Sequence, residues 1–386
     1  MQARMLLTAL LLSGHLSAHA GPDSAQPCAS SPNPSASPPS ANTDQGDADA
    51  QFALAQACLS EARPDPARAA RWLRLAAQQG HAKAQLALGI LTAEGRGVLQ
   101  HQAEAADWLR RAATQGEPEA QYRLGLMLAN GEGVAQDLAE AIRWYSAAAT
   151  QGWLDAQLSL GNLYFMGLAV RQNFELSAHW FGMAASQGNV SAQERMAAFY
   201  EEGNGVPRDR TQAAVWLRRA AEQGSNAAQT RLAQLYELGL GQPRDLAQAA
   251  HWYSRAADQG NRDAQFALGL LHESGQGIPQ DAAKAAYWFH RSASEGHGPA
   301  LTRLGLLYRD GRGVDADPVL AQMCFLLATS LGESRSLKEK AMLAGQMTSR
   351  QREEAQALAA AWQPGIVLPD ASRTGQQRSL WSRLRQ

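Results

Sequence analysis

Seven tryptophans stand 36 residues apart, at Trp72, Trp108, Trp144, Trp180, Trp216, Trp252 and Trp288. A spacing that survives seven occurrences means that one structural unit recurs along the chain. Units that each leave a face uncovered must stack, so the chain folds as a solenoid and not around one catalytic centre. A solenoid adds core with every unit, so 386 residues do not exceed what one architecture can bury.

Other marks keep step with the indoles. The third unit reads Ala120-Gln121-Tyr122-Arg123-Leu124-Gly125, then Gly131-Glu132-Gly133-Val134, Asp137, Trp144, Ala148-Ala149 and Gly152. Ala120, Leu124 and Leu128 are four apart and share one helical face, which defines a helix A ending at Gly131. Glycine is the residue that accepts a left-handed backbone after a helix. Val134 plugs the gap beneath the loop, and the Asp137 side chain caps a helix B that runs to Gly152, a role worth roughly 1 kcal/mol. Asn173, Asp209, Asp245, Asp281 and Asp317 hold the same place. The tryptophan precedes paired alanines by one turn; small residues let a neighbouring helix approach, and the ring fills the volume left. A single unit therefore does not fold alone.

Pattern failures mark the ends. Residues 48–80 keep Trp72, Ala76-Ala77 and Gly80 but carry Pro64-Asp65-Pro66 in place of the glycine loop, as an N-terminal cap would. At the other end Cys324 replaces tryptophan and fills a core slot, and Ala328-Thr329 replaces the alanine pair. The solenoid is assigned to 47–335, capping helices to 336–363 with a restart near Ser349, and a flexible tail to 364–386 after Pro364.

The N-terminus has the form of a secretory signal: Arg4, the apolar run Met5 to Leu12, and Ala18-His19-Ala20 as an A-x-A cleavage site. A buried first helix is the alternative, but the next segment offers no apolar periodicity to pack it. Cleavage is expected after Ala20, and Gly21 stands where a lipoprotein would need cysteine. Residues 21–46, rich in Pro, Ser, Ala and Asn, read as a disordered leader. No run approaches the ~20 apolar residues of a transmembrane helix. A soluble periplasmic or secreted protein follows. An oxidising compartment allows a Cys28–Cys58 bridge; three unpaired thiols, Cys324 among them, are the alternative. A formal net charge of -1 gives no sign of nucleic acid binding.

The run A-x-x-x-L-G-x-x-Y-x-x-G-x-G-V-x-x-D…W-[YFL]-x-x-A-A-x-x-G resembles the Sel-1-like repeat family, relatives of the tetratricopeptide repeats. Ala156, Leu160, Gly161, Tyr164, Gly167, Trp180-Phe181 and Gly188 carry it, as do Gly311, Gly313 and Val314, and it covers residues 48–332. The resemblance implies an all-α, right-handed α/α superhelical solenoid of about eight hairpins. It also implies an adaptor that assembles other proteins, often at membranes or in bacterial envelopes. Ala197 and Ala233 depart from the helix A glycine, Ala169 from a loop glycine and Gln242 from the loop valine. These changes are expected to alter local curvature more than fold. A cysteine-rich secreted branch of the family, linked to β-lactam binding, has a disulfide pair in each repeat, and this chain does not.

No residue earns a catalytic, cofactor or metal assignment. Each G-x-G lies at a helix–helix turn, without the strand–loop–helix context or the lysine of a phosphate cradle. His272, His290 and His297 lack the i, i+4 spacing of a helix-borne zinc site. There is no G-x-S-x-G elbow, and Glu201-Glu202 diverge around their helix. Periodic tryptophans beside Ala-Ala read as core and not as ligand-stacking rings. Trp153, outside the period, is either an exposed contact anchor or packing against the neighbouring repeat.

Binding is expected on helix A, which lines the concave wall in related solenoids. Counting from the opening alanine, one position gives Arg123, Arg195, Arg231 and Arg303, and another Glu201, Glu237 and Glu273, followed by Arg309. Stacking would turn these into a basic and an acidic stripe suited to an extended peptide or a protein of alternating charge; a solvated surface with local ion pairs is the plainer reading. The sequence thus describes a non-enzymatic envelope scaffold, without cofactor, binding other proteins or peptides. An envelope hydrolase or β-lactam-binding protein acting on peptidoglycan-related substrates is the runner-up. Regulation of a membrane complex through Arg373, Arg378, Arg383 and Arg385 is a third reading.

Overall fold

The computed structural model describes residues 46–60 and 63–369. The signal, nearly all of the leader, Cys28 and residues 370–386 lie outside them. Among the described residues there are eighteen helices and no strand, and the architecture is an all-α solenoid. The chain divides into two compact units, one running to Gln187 together with Asn204–Val206, the other Gly188–Gly203 together with Pro207 onward.

The first unit holds four hairpins: α1 (Ala48–Ser60) with α2 (Pro66–Gln78), α3 (Ala82–Glu94) with α4 (Gln102–Thr114), α5 (Pro118–Asn130) with α6 (Leu138–Thr150), and α7 (Leu154–Met166) with α8 (Phe174–Ser186). The second holds α9 (Val190–Glu202) with α10 (Arg210–Glu222), α11 (Asn226–Leu238) with α12 (Leu246–Asp258), α13 (Arg262–Ser274) with α14 (Ala282–Ser294), and α15 (Gly298–Asp310) with α16 (Pro318–Ser330), followed by α17 (Ser336–Gln346) and α18 (Ser349–Ala361). Odd-numbered helices of the hairpins are helix A, even-numbered ones helix B.

Local chemistry sets the helix ends. Asp137, Asn173, Asp209, Asp245, Asp281 and Asp317 each accept a backbone N–H of the first turn of helix B, so the expected caps are formed. Asp65 does the same for α2, with Pro66 at its first position. Helix A is capped too, by His81, Asn189, Ser225, Asn261 and His297. Glu117 and Trp153 occupy that place without a side-chain cap.

Five of the seven periodic tryptophans are buried, and Trp144 and Trp216 are half-buried. Trp108 joins the core formed by α1 to α3, and Trp288 that of α9 to α13, so each ring packs back onto earlier hairpins. The deeper residue is the next one along. Tyr145, Phe289, Phe325, Leu109 and Leu217 are almost fully buried, and several lie on the helix A glycine of their own hairpin. A Cβ on Gly125 would stand 2.7 Å from Tyr145 Cε1, and one on Gly269 only 2.5 Å from Phe289 Cε1. That glycine therefore admits a ring between the two helices of a hairpin. Ala197 fits the same slot in a hairpin whose helix B offers Leu217. Ala233 shares its hairpin with Tyr253, whose hydroxyl donates to Glu237 one turn further on, at 2.7 Å.

Two rows of glutamines stitch hairpins together. Gln85 donates to the Ala77 carbonyl of the preceding helix B (3.0 Å) and accepts from Gln115 at the end of its own helix B (2.7 Å). The arrangement recurs with Gln121 and Gln151, Gln157 and Gln187, and Gln229 and Gln259, and Gln223 likewise donates to Gln193 (2.9 Å). It stops at Gln265, whose Oε1 is buried without a donor, because Glu295 stands where the next glutamine would be.

Loop departures have visible consequences. Val134, Val170, Ile278 and Val314 pack against the cores as expected, whereas the amide nitrogen of Gln242 is buried without a partner. Ala169 keeps the left-handed backbone of the glycine it replaces, at φ 63°, the sole such non-glycine residue among those described. It lines a small enclosed cavity with Leu138, Ile142, Tyr145 and Leu163. A left-handed alanine costs roughly 1–2 kcal/mol, so Ala169→Gly should stabilise the protein by about 1 kcal/mol after the added chain entropy. A thermal melt no higher than that of the wild type would contradict this.

The C-terminal end differs from expectation. Residues 364–369, assigned to the tail, fold back along α14: Gly365 N–H donates to the Ser294 carbonyl (2.8 Å), Leu368 N–H to Ser294 Oγ (3.1 Å), and His290 Nε2 meets the Leu368 carbonyl (2.9 Å). Leu368 and Trp362 are buried there. Ser294 on α14 makes this possible by accepting from the chain with both its carbonyl and its hydroxyl oxygen, whereas the Ser292 hydroxyl donates to the Arg262 carbonyl (2.7 Å). Cys324 is fully buried in the same core, and burial pushes its thiol up. Cys58 is buried in the first core.

Candidate functional site

Helix A carries the residues that vary within the fixed frame. Arg231 on α11 pairs with Glu201 on α9, and Arg303 on α15 with Glu273 on α13 at 3.4 Å. Both pairs are 30 residues apart, so each joins successive hairpins. The basic and acidic positions thus do not run as two separate stripes; where both occur they neutralise each other across the hairpin boundary. The rule also accounts for the remainder. Arg123, which has Ala93 thirty residues before it in place of a glutamate, pairs with Glu119 in its own helix (2.7 Å). Glu237, which has Ala267 thirty residues after it in place of an arginine, accepts the Tyr253 hydroxyl, whose pKa is raised by burial and then by this hydrogen bond. Glu273 also binds Arg312 (2.7 Å), and Arg309 pairs with Glu339 of α17 and with Asp310. The arginines of these pairs are a third to a half exposed, so each pair contributes at most about 1 kcal/mol and is open to exchange.

Trp153 resolves to packing: its ring is half-buried against the core of α4 to α7, and its indole N–H is enclosed without an acceptor. An exposed anchor it is not. The histidines separate. His290 meets the folded-back chain, and His297 caps α15 and stacks on Phe266, with its pKa lowered chiefly by burial despite Asp263 nearby. His272 is likewise shifted down by desolvation. Among the described residues no group of three or more His, Cys, Asp or Glu is placed to hold a metal ion, and no helix is long and apolar enough to cross a membrane. The glutamine rows were legible at 36-residue spacing, but a polar residue in a solvent-rich pattern does not announce burial.

What these elements define is a repeat protein of stacked helical hairpins, with ion pairs joining successive helix A elements. The chain belongs to the Sel1 repeat family, whose model matches residues 48–81, 82–117, 118–153, 154–189, 190–225, 226–261, 262–297 and 298–333. Sel1 repeat proteins generally mediate protein–protein interactions and are typically non-catalytic scaffolds. A Sel1 repeat protein from Oxalobacter formigenes is 36% identical, covering 78% of this chain and 88% of its own, with a TM-score of 0.56. A protective antigen present in uropathogenic Escherichia coli strains, displaying an SLR fold, is 27% identical, covering 88% of this chain and 86% of its own, with a TM-score of 0.54. No curated protein matches the chain.

Proposed function

We propose that this protein is a non-enzymatic scaffold of the bacterial cell envelope that binds other proteins or extended peptides on the concave helix A face. The observation that carries the reading is the set of inter-hairpin pairs, Arg231 with Glu201 and Arg303 with Glu273, whose arginines are about half exposed. Frame residues are consumed by packing, caps and glutamine rows; these half-exposed arginines still present part of their donor edge to a carboxylate of a partner. Export is supported by Arg4, the apolar run Met5 to Leu12 and Ala18-His19-Ala20, with cleavage after Ala20 and a leader to residue 46. A pull-down from envelope extract with wild type and the Arg195→Glu/Arg231→Glu double variant tests the face. The variant should lose bound proteins that the wild type retains; equal recovery would show that partners bind elsewhere.

A further inference from the structure

We infer that the helix B face of α10, α12 and α14 is a second recognition surface, which takes an extended acidic segment of a partner protein. It does not depend on the helix A reading. In three consecutive hairpins an arginine follows the tryptophan by three residues and lies over its ring. The guanidinium carbons of Arg219, Arg255 and Arg291 stand 4.6, 5.1 and 5.4 Å from the ring centres of Trp216, Trp252 and Trp288. Arg219 and Arg255 are exposed. None of the three forms an ion pair with a described carboxylate; Arg291 reaches only the Tyr287 hydroxyl, at 3.4 Å.

At the neighbouring position, two residues after the tryptophan, the first unit has paired arginines. There Arg74 and Arg110 meet Glu104 (2.9 Å) and Glu140 (4.0 Å), carboxylates in the first turn of the next helix B. The same glutamates accept the indole N–H of Trp108 and Trp144. In the second unit those first-turn places hold Gln212, Gln248 and Lys284. The stacked arginine itself is interrupted in the first unit, where Arg111 is followed by Ala147 and Met183 in the same slot.

A guanidinium held over an indole is already partly ordered and keeps donors available for a carboxylate, which it can bind in a two-pronged fashion. Binding therefore costs less side-chain entropy than it would for a free arginine. Glu222 and Asp258 lie three residues beyond Arg219 and Arg255, so negative charge alternates with positive along this face. A uniformly charged polymer such as a nucleic acid would set phosphates against those carboxylates. A peptide avoids this by placing acidic residues only at the arginines. Helices in the same row of a stack lie about one helix diameter apart, ~10 Å, which is about three residues of extended chain.

The test uses the full chain and a fluorescein-labelled peptide with Asp at every third position among Gly and Ser, followed by fluorescence anisotropy. Wild type should bind, more weakly as salt is added, and R219Q/R255Q/R291Q should bind about tenfold more weakly. R255Q alone, less disturbing to the indole packing, should lose about twofold. A peptide of the same composition with its Asp residues clustered at one end should bind less well. R195E/R231E should bind like the wild type, which separates this surface from the helix A face. The inference is overturned if the wild type does not bind, if the glutamine variants bind undiminished, or if R195E/R231E is the variant that loses binding. Tighter binding of an oligonucleotide of equal charge would also overturn it.

Discussion

Phe289→Ala should lower the unfolding free energy by about 3–5 kcal/mol, the cost of emptying a buried aromatic site. The ring is fully buried between α13 and α14, against Gly269. Neither helix can close the gap, because each is also held by the hairpins on either side. Tryptophan fluorescence during urea denaturation measures the loss, and amide exchange should place it in the second unit. Gly269→Ala supplies the converse. Its Cβ would enter the ring's space, an overpacking that costs about 1–3 kcal/mol, and Phe289→Leu in the same chain should recover most of that penalty. A loss below about 1 kcal/mol for Phe289→Ala would mean that the hairpin interior is not packed as described.

Gly313→Ala should be nearly as damaging, at about 2–4 kcal/mol. Gly313 has φ 72°, and a Cβ there would fall on the backbone carbonyl of Ala282, at the start of the preceding hairpin's α14. The loop and that helix would have to separate. Gly260→Ala isolates the conformational part: φ is 90°, but nothing lies within 4 Å of the added carbon. It should cost about 1 kcal/mol. Equal melting temperatures for the two variants would leave no role for close approach between hairpins.

Candidate binding positions were legible as positions and not as arrangements. Arg231 and Glu201 could be counted from the opening alanine, yet their pairing depends on how far one hairpin is displaced along the next. Trp153 was ambiguous for the same reason, since its indole lies against a core assembled from several hairpins. The arginines over Trp216, Trp252 and Trp288 have an i, i+3 spacing that sequence displays, but their lack of carboxylate partners is a fact of three dimensions.

The 36-residue period alone determined the helical hairpin, its caps and the burial of the indoles, because helical periodicity, capping and glycine stops act within one unit. Stacking decided the rest. Whether a glutamine is buried, a glycine indispensable or an arginine neutralised depends on atoms supplied by another helix or another hairpin, and no local pattern records how closely they approach.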